Sequence, residues 1–328
     1  MPGFPVIAYV AAFLAALAGA AITLPPWRSF CARHGWVDDP GERKIHAVRT
    51  PLAGGWAVFS GLAMALLLGA AAIAMGWGGA DAVRWMSHGM GRRAVQLVAV
   101  LAGAAAMLGI GAWDDRKELR PGTKLACQVI VALAVALAGV RITLFVPSMG
   151  FSLAVTVLWI LAVTNALNLS DNMNGLCTGL AAIASMAFSL VAARHGQYLV
   201  GTFGFAVSGA FLGFLPFNFP RASAFLGDAG SHLAGYLLAT LAILPHFYSE
   251  RHGALRPAAV LLPLLVLGIP LLDVAQVVAW RTLHRRPFWI GDTNHLSHRL
   301  ARTRLGRVGA VVVLWSAAAL LGAIAVLA

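Results

Sequence analysis

Acidic residues are scarce in this 328-residue chain, with 12 Asp and Glu against 24 Lys and Arg, and only 11% of positions are charged. No polar stretch is long enough for a separate soluble domain, which excludes a membrane-tethered globular enzyme. Cysteine is almost missing. Cys31, Cys127 and Cys177 show neither CxxC nor zinc-finger spacing, which excludes a disulfide scaffold and leaves them as small packing residues. No internal repeat is visible, which counts against a transporter built of repeated halves. The first apolar stretch is too long, and too poor in preceding positive charge, for a cleaved signal peptide. A net charge of +12 would suit a nucleic-acid binder, but no basic segment stands clear of the apolar ones, so nucleic acid is excluded as a partner.

What is present is apolar. Sixty percent of residues are hydrophobic and the mean hydropathy is +0.81. A spanning helix needs about 20 mostly apolar residues. Such stretches recur near 5–27, 54–77, 94–112, 123–140, 150–167, 176–193, 199–216, 231–248, 257–280 and 308–327. The pattern predicts an all-α polytopic membrane protein of about ten transmembrane helices, residues 1–328 forming one integral membrane domain in the lipid bilayer. With the N-terminus outside, the gaps at 28–53, 113–124, 165–175, 217–230 and 281–307 face the cytoplasm. They hold 5, 4, 0, 1 and 7 Lys or Arg, 17 of the 24, so the positive-inside rule favours this orientation, with both termini outside. Nine of the 12 acids fall on the same side. A carboxylate near hydrocarbon costs several kcal/mol unless it is paired or hydrated. Acids gathered at one face therefore point to a metal-dependent site at the cytoplasmic surface.

The first cytoplasmic loop offers Arg43, Lys44, His46 and Arg49 as phosphate-binding donors, or is an ordinary positive loop. Thr50-Pro51 reads as a helix start, Thr as N-cap and Pro at the first position. The second loop carries Asp114-Asp115, closing with Lys124. Adjacent carboxylates repel and persist where a cation or proton sits between them. One could face a metal or phosphate while the other orients it; the plain alternative is a solvated helix end with Arg116, Lys117 and Lys124 as partners. In the third loop Asn168, Asp171 and Asn174 share a face if the segment is helical, supporting a hydrated metal, a sugar or neighbouring helices. In the fourth, Gly227 and Gly230 would admit close approach of a ligand to the backbone, and Asp228 opens a span whose free N–H groups could meet anionic oxygens. Phe225 could stack on a base. The fifth holds His295, His298 and Arg299, with Asp292 just before them; phosphate binding suits this set better than zinc, which lacks a third ligand. Asp273, inside the ninth span, is a functional candidate or a buried helix-pairing acid.

Taken in order, these strings resemble one family. They are Asp39-Pro40, Arg43-Lys44-x-His46, Pro51 with Gly54-Gly55, Asp114-Asp115, Lys124-Leu-x-x-Gln128, Asn165-x-x-Asn168-x-x-Asp171 with Gly175-Leu176, Phe217-Asn218-x-Pro220, Phe225-Leu-Gly-Asp228-x-Gly-Ser231 and His295-Leu-x-His298-Arg299-Leu300. From about Asp38 to Leu300 the chain is similar to the polyprenyl-phosphate N-acetylhexosamine-1-phosphate transferases, which include the phospho-N-acetylmuramoyl-pentapeptide transferase of peptidoglycan synthesis.

The resemblance implies transfer of a sugar-1-phosphate, GlcNAc-1-phosphate foremost, from a UDP-N-acetylhexosamine to polyprenyl (undecaprenyl) phosphate. The products would be polyprenyl-diphospho-sugar and UMP, made on the cytoplasmic side of the inner (plasma) membrane to begin a cell-envelope glycan such as lipopolysaccharide or teichoic acid. Mg²⁺ is the implied cofactor, with Mn²⁺ as an alternative ion. By motif, Asp228 and Asp115 would meet the metal, and Asn218 and Phe225 would hold the uracil. Asp114 and Asp115 would engage the lipid phosphate, while Asp171 and Asn168 would support the site. His295, His298 and Arg299 would bind phosphate or sugar, as would Lys44 and His46. Two departures stand out. The third loop reads Asp171-Asn-Met-Asn174-Gly175 where the family often has Asp-Gly-x-Asp-Gly. The fifth has Ser297 where the GlcNAc branch often has histidine, and the pentapeptide transferase's three successive histidines are missing. A transporter or a non-catalytic polyprenyl-carrier-binding protein are the competing readings, and a homodimer stays open.

Overall fold

The structure, a computed structural model, describes residues 4–39, 49–77, 79–143, 146, 148–244, 261–285 and 294–328. Lys44, His46 and Asp292 lie outside the described residues. The chain runs α1 (Phe4–Arg33), β1 (Val37–Asp38), β2 (Thr50–Pro51), α2 (Gly54–Ala74), α3 (Gly79–Lys117), α4 (Pro121–Leu137), α5 (Met149–Ser170), α6 (Leu176–Arg194), α7 (Tyr198–Asn218), α8 (Gly227–Ile243), α9 (Leu262–Val266), α10 (Gly268–Leu283), α11 (Leu296–Ala301) and α12 (Gly306–Leu327). Among the described residues, seven helices are long and apolar enough to cross a membrane: α1, α2, the Arg93–Lys117 part of α3, α5, α6, α7 and α12. This is an all-α polytopic membrane protein. Large apolar side chains such as Ile7, Leu67, Val95, Leu158 and Leu320 are exposed on its outer helices, as lipid-facing residues are.

Helix α8 is the axis of the bundle. Every residue from Gly227 to Ala242 except Asp228 is buried, enclosed by α2, α3, α5, α6 and α7. That enclosure lets α8 carry Ser231, His232, Tyr236 and Thr240, which would be costly against lipid. Small residues let the neighbours close in. A Cβ on Gly111 of α3 would stand 2.2 Å from the Asp228 carbonyl oxygen, so only glycine brings α3 this near to α8.

Several expectations change. The stretch at 257–280 does not form one helix: α9 and α10 meet at Leu267 (φ −94°, ψ 15°). Pro270 has no N–H to return to Val266, which breaks the ladder there. Thr50-Pro51 is not a helix start but an extended pair, Val37 opposite Pro51 and Asp38 opposite Thr50. Helix α2 begins three residues later, its N–H groups on Gly54 and Gly55 donating to the carbonyls of Phe225 (2.9 Å) and Leu226 (3.1 Å). The Phe225 N–H in turn donates to Pro51 O (2.9 Å), so the first and fourth loops are stitched together. Helix α5 ends at Ser170, so Asn168, Asp171 and Asn174 do not share a helical face.

Candidate active site

Four helix ends meet at one end of the bundle: the C-termini of α3 and α5 and the N-termini of α4 and α8. Pro121 opens α4 at its first turn, where a missing N–H costs nothing, and sets Lys124 facing inward. The Lys124 Nζ lies 2.7 Å from Asp114 Oδ2, donates to Asn168 Oδ1 at 3.0 Å and stands 3.9 Å from Asp228 Oδ2. Asn168 Nδ2 donates to Asp228 Oδ1 and to Ser231 Oγ (2.9 Å). The carboxyl groups of Asp114 and Asp228 are within hydrogen-bonding reach of each other. Two carboxyls so placed need a proton or cation between them.

The two adjacent aspartates diverge. Asp114 Oδ1 accepts from the Leu119 N–H (2.7 Å), closing the end of α3, while its other oxygen meets Lys124. Asp115 turns to α8, where its oxygens accept the N–H groups of Asp228 (2.7 Å) and Ala229 (3.0 Å). The anionic oxygens expected at the start of α8 are therefore supplied by the protein itself. Gly227 makes this possible: its φ is +74°, and a Cβ there would stand 2.8 Å from Asp115 Oδ2. Gly227 thus admits a carboxylate of the chain rather than a ligand. Gly230 likewise packs on Leu226 and Gly55. Asp115, read from the resemblance as a metal ligand, uses both oxygens to orient the backbone that carries Asp228.

Asp171 caps the C-terminal end of α5 and is half-buried. Burial, then the carboxylates of Asp228 and Asp115, push its carboxyl well above the ordinary range. Lys124 thus stands between the carboxyl groups of Asp114 and Asp228, while Asp115 and Asp171 add their charge to Asp228 from its other neighbours. Among the described residues no three acidic, histidine or cysteine side chains converge as a ready metal cage. This donor set suits a hard cation that takes one or two carboxylates and completes its shell with phosphate and water, as Mg²⁺ does.

Asn218, expected at the uracil, is buried, and its amide is committed to protein. Its Oδ1 accepts from the Gly175 N–H (3.0 Å) and the Thr178 hydroxyl (2.9 Å), and its Nδ2 donates to Ala224 O (3.1 Å). It ties the third loop to the fourth. Phe225 stays half-buried in the fourth loop. Asn174 is exposed, its amide reaching Pro220 O (3.3 Å).

Helix α11 is a six-residue platform held from two sides. Asp273 on α10 accepts from His295 Nδ1 (2.7 Å) and from the Leu296 N–H (2.6 Å), so this buried acid organises the fifth loop. Ser297 Oγ donates to Asn172 Oδ1 (2.6 Å), which fastens the platform to the third loop beside Asp171. Here two side chains that depart from the family pattern contact each other. The His295 and His298 rings lie 6.3 Å apart, and Arg299 is exposed, reaching Gln276 (3.1 Å). Burial, then His295, Arg302 and Arg307, push the His298 imidazole below its ordinary value, so at neutral pH it is an uncharged donor and acceptor. Lys124 is the residue that sequence reasoning undervalued, taking it as a bystander ion partner. Its signal was present: a lysine at the first turn of the helix that follows the acidic pair, one turn before Gln128.

A family model described as glycosyl transferase family 4 matches residues 97–246, the stretch from α3 to the end of α8. The chain is 29% identical over 317 residues to a probable undecaprenyl-phosphate N-acetylglucosaminyl 1-phosphate transferase of Bacillus subtilis, covering 94% of this chain and 82% of the relative. It is 34% identical over 317 residues to a decaprenyl-phosphate N-acetylglucosaminephosphotransferase of Mycobacterium tuberculosis, covering 88% and 75%. Its similarity to a phospho-N-acetylmuramoyl-pentapeptide-transferase of Levilactobacillus brevis, 36% over 155 residues, covers only 42% and 48%.

Proposed function

The chain belongs to glycosyl transferase family 4, on the side of the polyprenyl-phosphate N-acetylglucosamine-1-phosphate transferases, and from that premise we propose that it moves GlcNAc-1-phosphate from UDP-GlcNAc to a polyprenyl phosphate and releases UMP. The meeting of Asp114, Lys124, Asn168, Asp171 and Asp228 at one end of the bundle carries this reading. On the reading of about ten crossings with both termini outside, that end would lie at the cytoplasmic face of the plasma membrane, where the nucleotide sugar is found.

An oxygen of the lipid phosphate attacks the sugar-bearing phosphorus of the donor; a P–O bond forms there as the P–O bond to UMP breaks. One diphosphate linkage replaces another, so the reaction needs positioning and charge neutralisation more than a strong nucleophile. Asp228, with Asp171 beside it, would hold Mg²⁺, which when bound neutralises phosphate charge as a Lewis acid. Asp115 fixes Asp228 by holding its backbone. Lys124 offers its ammonium to the phosphates and restrains Asp114, which accepts the remaining proton of the lipid phosphate. Phe225 stacks on the uracil, while His298 and Arg299 meet the donor's phosphate or sugar from α11, with His295 orienting that platform.

Purified protein, polyprenyl phosphate, Mg²⁺ and single UDP-sugars, analysed by mass spectrometry of the lipid fraction, test the proposal. A polyprenyl-diphospho-N-acetylhexosamine formed with UDP-GlcNAc is expected. Folded protein giving no such lipid with any UDP-amino sugar would overturn the reading.

A further inference from the structure

Beneath the Lys124, Asn168 and Asp228 cluster lies a second polar layer, one helical turn deeper. Helix geometry places residues three or four apart on one face. Lys124 is followed by Gln128 on α4, Asn168 is preceded by Thr164 and Asn165 on α5, and Asp228 is followed by His232 on α8. Gln128, Thr164 and His232 are all fully buried. Asn165 Nδ2 donates to Gln128 Oε1 (2.8 Å), joining α5 to α4 at this depth. The His232 Nδ1 lies 2.6 Å from Asp228 O, which can only accept, so Nδ1 carries the proton and Nε2 of the neutral ring is an acceptor.

Three atoms of this layer have no hydrogen-bond partner among the described residues: Gln128 Nε2, a donor; His232 Nε2, an acceptor; and Thr164 Oγ1, which can be either. Burying one such group costs free energy, and three in one dry layer are costly unless something joins them. Donor, acceptor and hydroxyl together match what a single water offers, and buried waters typically make about three such bonds.

We propose that Gln128 and His232 hold one buried water beneath Asp228, and that this bridged pair is a positioning element for Asp228 in the transfer. The inference rests on the proposed reaction for its kinetic consequence, though not for the bridge itself. The α8 backbone at Asp228 is held from above by Asp115 and from below by His232. With His232 of α8 tied through the water to Gln128 of α4, the helix that carries Lys124, the spacing between Lys124 and Asp228 is set by a layer that touches no substrate.

A double-mutant cycle tests this. Gln128→Met and His232→Leu are expected each to lower kcat about tenfold with little change in the KM for the UDP-sugar. The double variant is expected to be no worse than the poorer single variant by more than about twofold, because one bridge is lost in each case. His232→Gln, which returns a polar atom to the position of Nε2, should recover most of kcat. The same cycle is read in detergent by thermal unfolding, where shifts in midpoint should also be less than additive. Losses that multiply in kcat and add in melting temperature would overturn the proposal, as would melting changes without any change in kcat. If the wild-type protein makes no product, the proposed reaction fails while the melting cycle still decides whether the bridge exists.

Discussion

Asp114 and Asp115 are joined by one peptide bond and serve opposite neighbours, Asp114 the ammonium of Lys124 and Asp115 two backbone N–H groups of α8. The division is testable. Asp115→Asn keeps the shape but offers one acceptor oxygen for two donors, and its amide would point N–H at N–H. It is expected to cost about 2 kcal/mol of stability, seen in the melting temperature, and to lower activity with it. A variant as stable as wild type would contradict the capping role. Asp171 yields a prediction with a sign. Its carboxyl titrates well above the ordinary range, so its contribution to stability is complete below the ordinary carboxylate range and is lost as pH rises through its folded value. In EDTA, Asp171→Asn should therefore match wild type at acid pH and melt at higher temperature than wild type at alkaline pH. No gain at alkaline pH would show that its neighbours do not repel it.

Elements, rather than single side chains, bring the fifth loop into place. Helix α11 is too short to be stable by itself. It is held by Asp273 from α10 and by Asn172 from the turn after α5. Asp273→Asn should loosen the platform and raise the KM for the UDP-sugar about tenfold while kcat changes by less than about threefold, measured from initial rates. An unchanged KM would separate α11 from donor binding. The break between α9 and α10 belongs to the same scale. It could have been read from Gly268 and Pro270, since proline removes a ladder bond, but the apolar run across them masked it. The start of α2 was misread for a related reason. Thr50-Pro51 has the local chemistry of a helix start, yet the backbone of Phe225 and Leu226 satisfies the first N–H groups of α2 from far along the chain.

At the scale of the whole molecule, apolar length and loop charge made the membrane class and the clustering of acids legible, because both follow from local composition. Partnerships between distant loops were not legible. Asn218 looked like a ligand-binding amide and instead joins two loops, and Gly227 looked open to a ligand and instead admits Asp115. Lys124 gained its importance only when α3, α4, α5 and α8 met. The orientation of the bundle is checked by a reporter fused after Ala328: alkaline phosphatase there should be active and a fluorescent protein dark, and the reverse would place the C-terminus inside. The central claim is that the carboxylates around Asp228 run a Mg²⁺-dependent transfer. UMP release from UDP-GlcNAc and polyprenyl phosphate, measured across a Mg²⁺ titration for wild type and Asp228→Asn, tests it most directly. The expected result is release that EDTA abolishes and that Asp228→Asn lowers by roughly a hundredfold or more at every Mg²⁺ concentration. Release that persists in EDTA, or an Asp228→Asn protein as fast as wild type, would contradict the account.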